Sequence, residues 1–489
     1  MLSRSIRKTV QLSKNYRYSS TLALKEAFEN IDRHNPYVNA FISLHNQQTL
    51  EEKAKAADQR RSQGESRSLI DGMTVAVKDN ICTSFLPTTC ASNMLKDFTS
   101  PYDATVVELL DNAGALIVGK TNLDEFGMGS ANVHSAFGPV LNPMYKGEQR
   151  SAGGSSGGSA ASVAMKMCTA ALGSDTGGSV RMPASYCGLV GFKPSYGRCS
   201  RHGLIAYANS LDTVGILTRN VSDCANVYDI ISCYDHRDPT SIPERLRTEL
   251  DFNDAQFLSR FQDNLEGLVV GVPQEFYVDS LSPQVIEVWR SGIKQLEKLG
   301  AEIVSVSIPH LSLALPAYYI IALAEASSNL ARYDGIRFGH RSPDRADQLL
   351  YQDTRSNGFG DEVQKRILLG THVLTAGTYE TLFLPAQSAR SLIRNEFNKV
   401  FRHQNLLHKT DTGQVDILLA PGATSIAPAL NSKEGVQQYI DDVMTLPANL
   451  VGIPALTVPF SQSIGLQLLG QYGYDKSILR VAELMMNHN

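Results

Sequence analysis

Residues 153–183 read GGSSGGSAASVAMKMCTAALGSDTGGSVRMP, two Gly-Gly-Ser stretches joined by an Ala-rich segment. Three readings compete for this pattern: a phosphate cradle, a linker or structural turn, and a turn that presents serines for chemistry. A phosphate loop ends in Gly-Lys-Ser/Thr so that its lysine reaches the phosphates, and neither GGSSGGSAA nor SDTGGSVRM carries that lysine. A dinucleotide fingerprint needs G-x-G-x-x-G after a strand with an acid about 20 residues on, and neither stretch fits. A solvated linker also fits poorly, because SAASVAMKMCTAALG (159–173) has the composition of a buried helix. Glycines do let backbone N–H groups approach a substrate closely. A serine at the end of such a turn then sits among donors able to hold an oxyanion. Composition alone leaves turn, cradle and serine site open.

A serine site requires a base. Of the eleven histidines, His34, His45, His134 and His202, for example, stand isolated in polar or turn contexts, and none lies in a motif of this kind. A lysine can serve if its pKa falls. With an ordinary value of about 10.4 it is neutral roughly once in a few thousand molecules at pH 7, so it must be buried or sit beside another cation. Lys78, at the end of the apolar strand in GMTVAVKDN (72–80), has that setting. The bland reading of the same residue is a solvated lysine at a strand end.

The wider composition narrows the function classes. The chain has 489 residues, 43% hydrophobic and 19% charged, with a formal net charge of -4. That provides for a large core and argues against a nucleic-acid surface of its own. Seven cysteines, an odd number without C-x-x-C pairing, point to reduced thiols and away from zinc, and no metal site is expected. LSLALPAYYIIALAEA (311–326) is interrupted by Pro316 and Glu325, so it is read as a buried helix rather than a membrane span. The first residues carry Arg4, Arg7, Lys8, Lys14 and Arg17 and no acid before Glu26. Ile6 and Val10 share one helical face and Arg4 and Lys8 another, the pattern of a mitochondrial transit peptide over residues 1–20. A frayed basic terminus is the alternative.

Patterning predicts a helix over about 22–44, a strand within 72–80, and a helix from 105 stopped by Gly114 before a strand at 115–118. Ser282 and Pro283 open a helix that Gly300 ends before the strand EIVSVSI. Further strands are expected at 268–272, 416–420, 455–460 and 465–470. Alternating helices and strands indicate an α/β fold with a mixed, mostly buried sheet. One domain over 21–489 is expected, with 310–405 as a helical cap within it.

Lys78 in AVKDN, Ser155 in GGSSGGSAA and Ser179 in GSDTGGSVRMP together resemble the amidase signature family and its Ser-cisSer-Lys triad. The likeness runs on through CASNML (90–95), GKTNLDEFGMGS (119–130) and YCGLVGFKPSYGRCSRHGL (186–204), and covers nearly the whole chain after about residue 25. It implies the amidase signature fold, a large mixed β-sheet covered by helices on both faces. It also implies Ser179 as nucleophile, Ser155 as proton relay behind a cis peptide after Gly154, and Lys78 as general base. Backbone N–H groups from Thr176 to Ser179, those of Thr176, Gly177 and Gly178 foremost, would form the oxyanion hole. Ser156 is the adjacent competitor for the relay, excluded only by the family spacing.

ASSNLARYDGIRFGHR (326–341) and RSNGFGDEVQKRILLGT (355–371) resemble the branch of the family that supplies A subunits of glutamyl-tRNA(Gln) amidotransferases. That resemblance implies glutamine as substrate, its α-carboxylate held by Arg366 and its α-ammonium by Asp442, with Asp441 the neighbouring competitor. It implies no cofactor on this chain. ATP and Mg2+ would be used on a partner B subunit, which also takes most contacts with Glu-tRNA(Gln). It further implies a small third subunit, with the chain located in the mitochondrial matrix. A stand-alone amidase acting on another small amide, and a non-catalytic scaffold, are the alternatives. The family usually has proline where Thr74 stands, and commonly one more helix before LKEAFENIDRHNPYVNAF (24–41).

Overall fold

A computed structural model describes residues 19–343, 350–408, 410–430 and 440–487. Of the expected transit segment, all but Ser19 and Ser20 lies outside the described residues. The sheet has eleven strands: β1 (Phe41–Leu44), β2 (Thr74–Lys78), β3 (Leu116–Thr121), β4 (Ala170–Asp175), β5 (Val190–Lys193), β6 (Thr213–Thr218), β7 (Val269–Pro273), β8 (Glu302–Val306), β9 (Ile417–Pro421), β10 (Ala455–Ser461) and β11 (Ile464–Gly470). Their order is β1-β3-β2-β4-β6-β5-β10-β11-β9-β7-β8. β2 runs parallel to β3 and β4, and β7 parallel to β8 and β9, while the other neighbours are antiparallel. The sheet is therefore mixed.

Every residue of β2, β3, β4 and β6 is buried. Successive side chains of a strand point to opposite faces, and here both faces are covered. Val75, Val77, Leu172 and Ile216 enter one core, whereas Ala76, Ala171 and Leu217 enter the other beside the helix Gly157–Ala164 and Leu24, Phe28 and Ile31 of the amino-terminal helix. The small alanines let that short helix lie close to the sheet.

Two expected helices are shorter than their patterns suggested. The amino-terminal helix spans Ser20–Val38 and stops at Asn39, which adopts a left-handed conformation (φ 56°); FISL then becomes β1, paired antiparallel with β3. Within 159–173 the helix ends at Ala164, Lys166 turns left-handed (φ 56°), and the chain continues as β4 between β2 and β6. Strand pairing on both edges overrides the helical propensity of alanine there. Segment 310–405 contains the helices Ala314–Leu330, Gln352–Gly358, Asp361–Val373 and Leu384–Val400, and no strand among its described residues. The apolar stretch Leu311–Leu330 is long and apolar enough to cross a membrane by length and composition, and half of it is buried within the protein. Its Glu325 accepts hydrogen bonds from Ser210 N at 2.9 Å and Ser210 Oγ at 2.6 Å.

Gly158 marks the tightest approach of the short helix to the strands. A Cβ there would overlap Asn122 O and lie 2.6 Å from Ala40 O and Asn122 N, all backbone atoms. Alanine normally favours a helix over glycine by about 1 kcal/mol, so the sign here is reversed by packing. Gly158→Ala is expected to lower unfolding free energy by about 1–3 kcal/mol, seen as a lower urea midpoint; an unchanged midpoint contradicts this packing.

Candidate active site

Lys78 ends β2 with its side chain entirely buried, at 0% exposure. Its Nζ lies 2.8 Å from Ser155 Oγ, 2.8 Å from Ser156 Oγ, 2.9 Å from Ser174 Oγ and 3.3 Å from Ser174 O. Burial pushes its pKa down to about 7, against the pull of the Asp124, Asp175 and Asp212 carboxylates. The amine is thus poised to exchange a proton near neutrality. A neutral amine has two N–H groups and one lone pair, so one neighbour must donate to it. Ser156 donates its hydroxyl to Ser174 O at 3.2 Å, and Ser174 Oγ already accepts from Asn80 Nδ2 at 2.9 Å. Among the described residues the Ser155 hydroxyl has no acceptor other than the amine. This proton accounting separates Ser155 from Ser156, which spacing alone could not do. The Gly154–Ser155 peptide is cis, as the family resemblance implies.

β4 runs into the turn that carries Ser179. Asp175 closes the strand with its carboxylate beneath the turn, accepting from Gly178 N at 2.9 Å and Val180 N at 3.1 Å. Ser179 is therefore held between two pinned amides. Arg181 pairs with Asp175 at 2.9 Å, both fully buried, and reaches Thr445 O, Gln467 Oε1 at 2.7 Å and Asn449 Oδ1 at 2.5 Å. Burial alone would raise the Asp175 pKa; the Arg181 charge and hydrogen bonds outweigh it and hold it at about 2. Gly178 has φ +131°, and a Cβ on it would overlap Thr445 Oγ1, so only glycine fits. Ser179 is 9% exposed, and among the described residues no hydrogen bond engages its hydroxyl. Its carbonyl accepts from Ser156 N at 3.2 Å, which brings the two serine stretches side by side.

The expected oxyanion donors divide. The Gly178 N–H points to Asp175 and is not available to a substrate, a correction to the reading that included it. No acceptor takes the N–H of Thr176, Gly177 or Ser179 among the described residues. Thr176 is steadied by its own hydroxyl, which donates to Asp212 Oδ1 at 2.8 Å.

Arg366 and Asp442 come from distant elements. Arg366, on the helix Asp361–Val373, is buried; its Nε donates to Glu362 Oε1 at 2.8 Å and its Nη1 to Tyr207 OH at 2.9 Å. Burial opposes its charge, but Tyr207 and Glu362 hold its pKa well above the ordinary value. Tyr207 N and Ala208 N donate to Asp212, the residue that fixes Thr176. Asp442 lies in the turn Asp441–Met444 and accepts from Tyr319 OH at 2.8 Å. Burial, with the neighbouring Asp441 charge, lifts its pKa to about 7. Asp441 points elsewhere, accepting from Thr424 Oγ1 at 3.2 Å. Three residues after Asp442, Thr445 donates to Gly177 O at 2.7 Å, and Tyr318, packed on Tyr319, covers Gly177. Both charged residues are thus tied to the wall around the 176–179 turn.

Sequence reasoning passed over Ser174, Asp175, Arg181, Tyr207 and Asp212. Ser174, Asp175 and Arg181 sit inside GSDTGGSVR, so proximity to the glycines was the available signal. Tyr207 and Asp212 carry no local signal. Among the described residues no group of three His, Cys, Asp or Glu side chains could hold a metal ion, and all seven cysteines are unpaired.

Known proteins share this arrangement of strands and turns. The chain is 47% identical over 486 residues to the mitochondrial A subunit of the glutamyl-tRNA(Gln) amidotransferase of Coccidioides posadasii, covering 92% of this chain and 96% of that one. It is 45% identical over 471 residues to the corresponding A subunit of Chromohalobacter salexigens, covering 95% and 92%. The crystal structure of the A subunit of the Thermotoga maritima glutamyl-tRNA(Gln) amidotransferase superposes with a TM-score of 0.75 at 38% identity, covering 95% of this chain and 91% of that one. The amidase family profile matches residues 23–479, and with the buried lysine facing paired serines on a mixed sheet, the chain belongs to the amidase family.

Proposed function

We propose that this chain is the glutamine-hydrolysing A subunit of a mitochondrial glutamyl-tRNA(Gln) amidotransferase. The observation that carries the chemistry is the buried Lys78 amine 2.8 Å from Ser155 Oγ, whose proton, unlike that of Ser156, has no other acceptor among the described residues. Ser179 Oγ attacks the side-chain carbonyl carbon of glutamine while its proton passes through Ser155 to Lys78. The oxyanion is met by the N–H groups of Thr176, Gly177 and Ser179. On collapse Lys78 returns the proton through Ser155 to the leaving nitrogen, ammonia departs, and water then hydrolyses the γ-glutamyl ester to glutamate.

Arg366 takes the α-carboxylate and Asp442 the α-ammonium. An ammonium beside Asp442 supplies the charge that keeps this carboxyl ionised. Ammonia passes to a partner B subunit that uses ATP and Mg2+ to amidate Glu-tRNA(Gln), and a small third subunit completes the assembly. Residues 1–20 direct the chain to the mitochondrial matrix. The mitochondrial forms among its relatives support a mitochondrial location.

Ser179→Ala is expected to reduce glutamine hydrolysis by about 10³-fold or more, with transamidation surviving only on added ammonia. An active complex with glutamine as sole nitrogen donor contradicts the nucleophile assignment. Ser155→Ala is expected to cost about 10²–10⁴-fold in kcat and Ser156→Ala less than about 10-fold; the reverse ranking makes Ser156 the relay.

Below a pH of about 7 Lys78 takes up a proton and stops acting as a base, and Asp442 becomes neutral over the same range. The ratio kcat/KM for glutamine should therefore fall as pH drops through about 7 and level off above it. A profile flat from about pH 6 to 8 rules out Lys78 as the base. Arg366→Ala is expected to raise KM for glutamine by about 10²-fold with a smaller effect on kcat. Retained glutaminase activity with an unchanged KM excludes this substrate assignment.

A further inference from the structure

The turn Asp124–Gly127 has contacts that the chemistry above does not use. Toward the serines, Asp124 N donates to Ser155 O at 3.2 Å, and a Cβ on Gly127 would lie 3.6 Å from Ser155 Oγ. Toward the helical segment, Glu125 is 5% exposed and its two carboxylate oxygens are divided. Oε1 accepts from Ser92 Oγ, which also reaches Gly358 O at 3.2 Å, and Oε2 accepts from Gly360 N at 2.8 Å. Gly360 is the N-cap of the helix Asp361–Val373, and no side chain of that helix caps it. Phe126, next in the turn, packs on Phe359 at 5.6 Å and Tyr333 at 5.1 Å.

We infer that Glu125 is a positioning residue, a latch that docks the amino terminus of the Arg366 helix onto the serine loops and so sets where Arg366 meets the substrate carboxylate. The N–H groups at the start of a helix need acceptors; burial lifts the Glu125 pKa to about 7, so the contact rests on the hydrogen bond from Gly360 N rather than on a full charge at the helix dipole. Here that acceptor comes from 235 residues away in the chain. Arg366 follows Gly360 by less than two turns, so a shift of the helix end moves its guanidinium. Among the described residues the Glu125 side chain makes no hydrogen bond to Lys78, Ser155 or Ser179; its partners are Ser92 and Gly360. Its loss acts on recognition rather than on bond breaking. The inference rests on the assignment of Arg366 to the α-carboxylate.

The test is steady-state glutamine hydrolysis by the full-length chain, purified together with the subunits with which it assembles. Glu125→Ala is expected to raise KM about 10-fold with kcat within about 3-fold of the parent. Glu125→Asp, one methylene too short to reach both Ser92 and Gly360, should raise KM to an intermediate value. Glu125→Gln, which can still accept from Gly360 N and meet Ser92, should stay within about 3-fold. In the Arg366→Ala background Glu125→Ala should change KM no further, since the two act on one contact. If Arg366→Ala raises KM while the Ala and Asp variants at 125 leave it unchanged, the latch is overturned and the substrate assignment stands. If Arg366→Ala itself leaves KM unchanged, the assignment beneath the latch fails. Additive effects of Glu125→Ala and Arg366→Ala, or a fall in kcat alone, also overturn the latch.

Discussion

The Asp175–Arg181 pair is the interaction on which the centre depends. Burying two isolated charges costs several kcal/mol each, and the cost is recovered only where geometry and extra hydrogen bonds are good. Here Asp175 accepts from Gly178 N and Val180 N, and Arg181 is surrounded by the oxygens of Thr445, Asn449 and Gln467. The turn that carries Ser179 is clamped on both sides of it by one carboxylate, and that carboxylate is held in turn by Asn449 from the far end of the chain. The same arrangement uses up the Gly178 N–H and leaves the N–H groups of Thr176, Gly177 and Ser179 without an acceptor among the described residues.

Asp175 also acts on Lys78. Burial disfavours the ammonium form by far more than any one carboxylate restores; the fall from 10.5 to about 7 corresponds to roughly 5 kcal/mol. Asp124 and Asp212 join Asp175 in limiting that fall. Both also hold backbone in place, Asp124 fixing the 130–134 loop through Asn132 N and His134 N, and Asp212 fixing Thr176. The carboxylates that hold the loops therefore also limit how far burial lowers the Lys78 pKa.

The residues proposed for substrate recognition lie on a different part of the fold. The helix bearing Arg366 packs on Ala314–Leu330, the helix that supplies Tyr318 and Tyr319 to the wall around Gly177 and Asp442. The groups proposed for bond breaking come from strand ends and glycine turns of the sheet, and of those proposed for recognition Arg366 comes from the helical segment beside it and Asp442 from the turn Asp441–Met444 that this segment contacts through Tyr319. Contacts such as Glu125 to Gly360 join the two.

Much of this was legible in the chain itself. Sustained apolar runs such as TVAVK and LQLLG mark strands buried on both faces, because only a sheet covered on both sides takes such runs, and the resemblance of the motifs around Lys78, Ser155 and Ser179 to the amidase signature family implied that the three share one centre. Local patterns failed where tertiary pairing overruled them. FISL and AALGSD became strands since β3 on one side, and β2 and β6 on the other, took up their backbone groups. The short strand Val190–Lys193 was missed for the same reason. The sequence by itself determined which residue types could do the chemistry and which turns could present them, because glycine, serine and buried lysine have intrinsic conformational and ionisation properties. Only the tertiary structure decided which of the two adjacent serines beside the Lys78 amine gives its proton to Ser174 O, which amide of the 176–179 turn is taken by Asp175, and how Arg181 meets Gln467 across 286 residues. Those outcomes depend on distances between groups that no local pattern encodes.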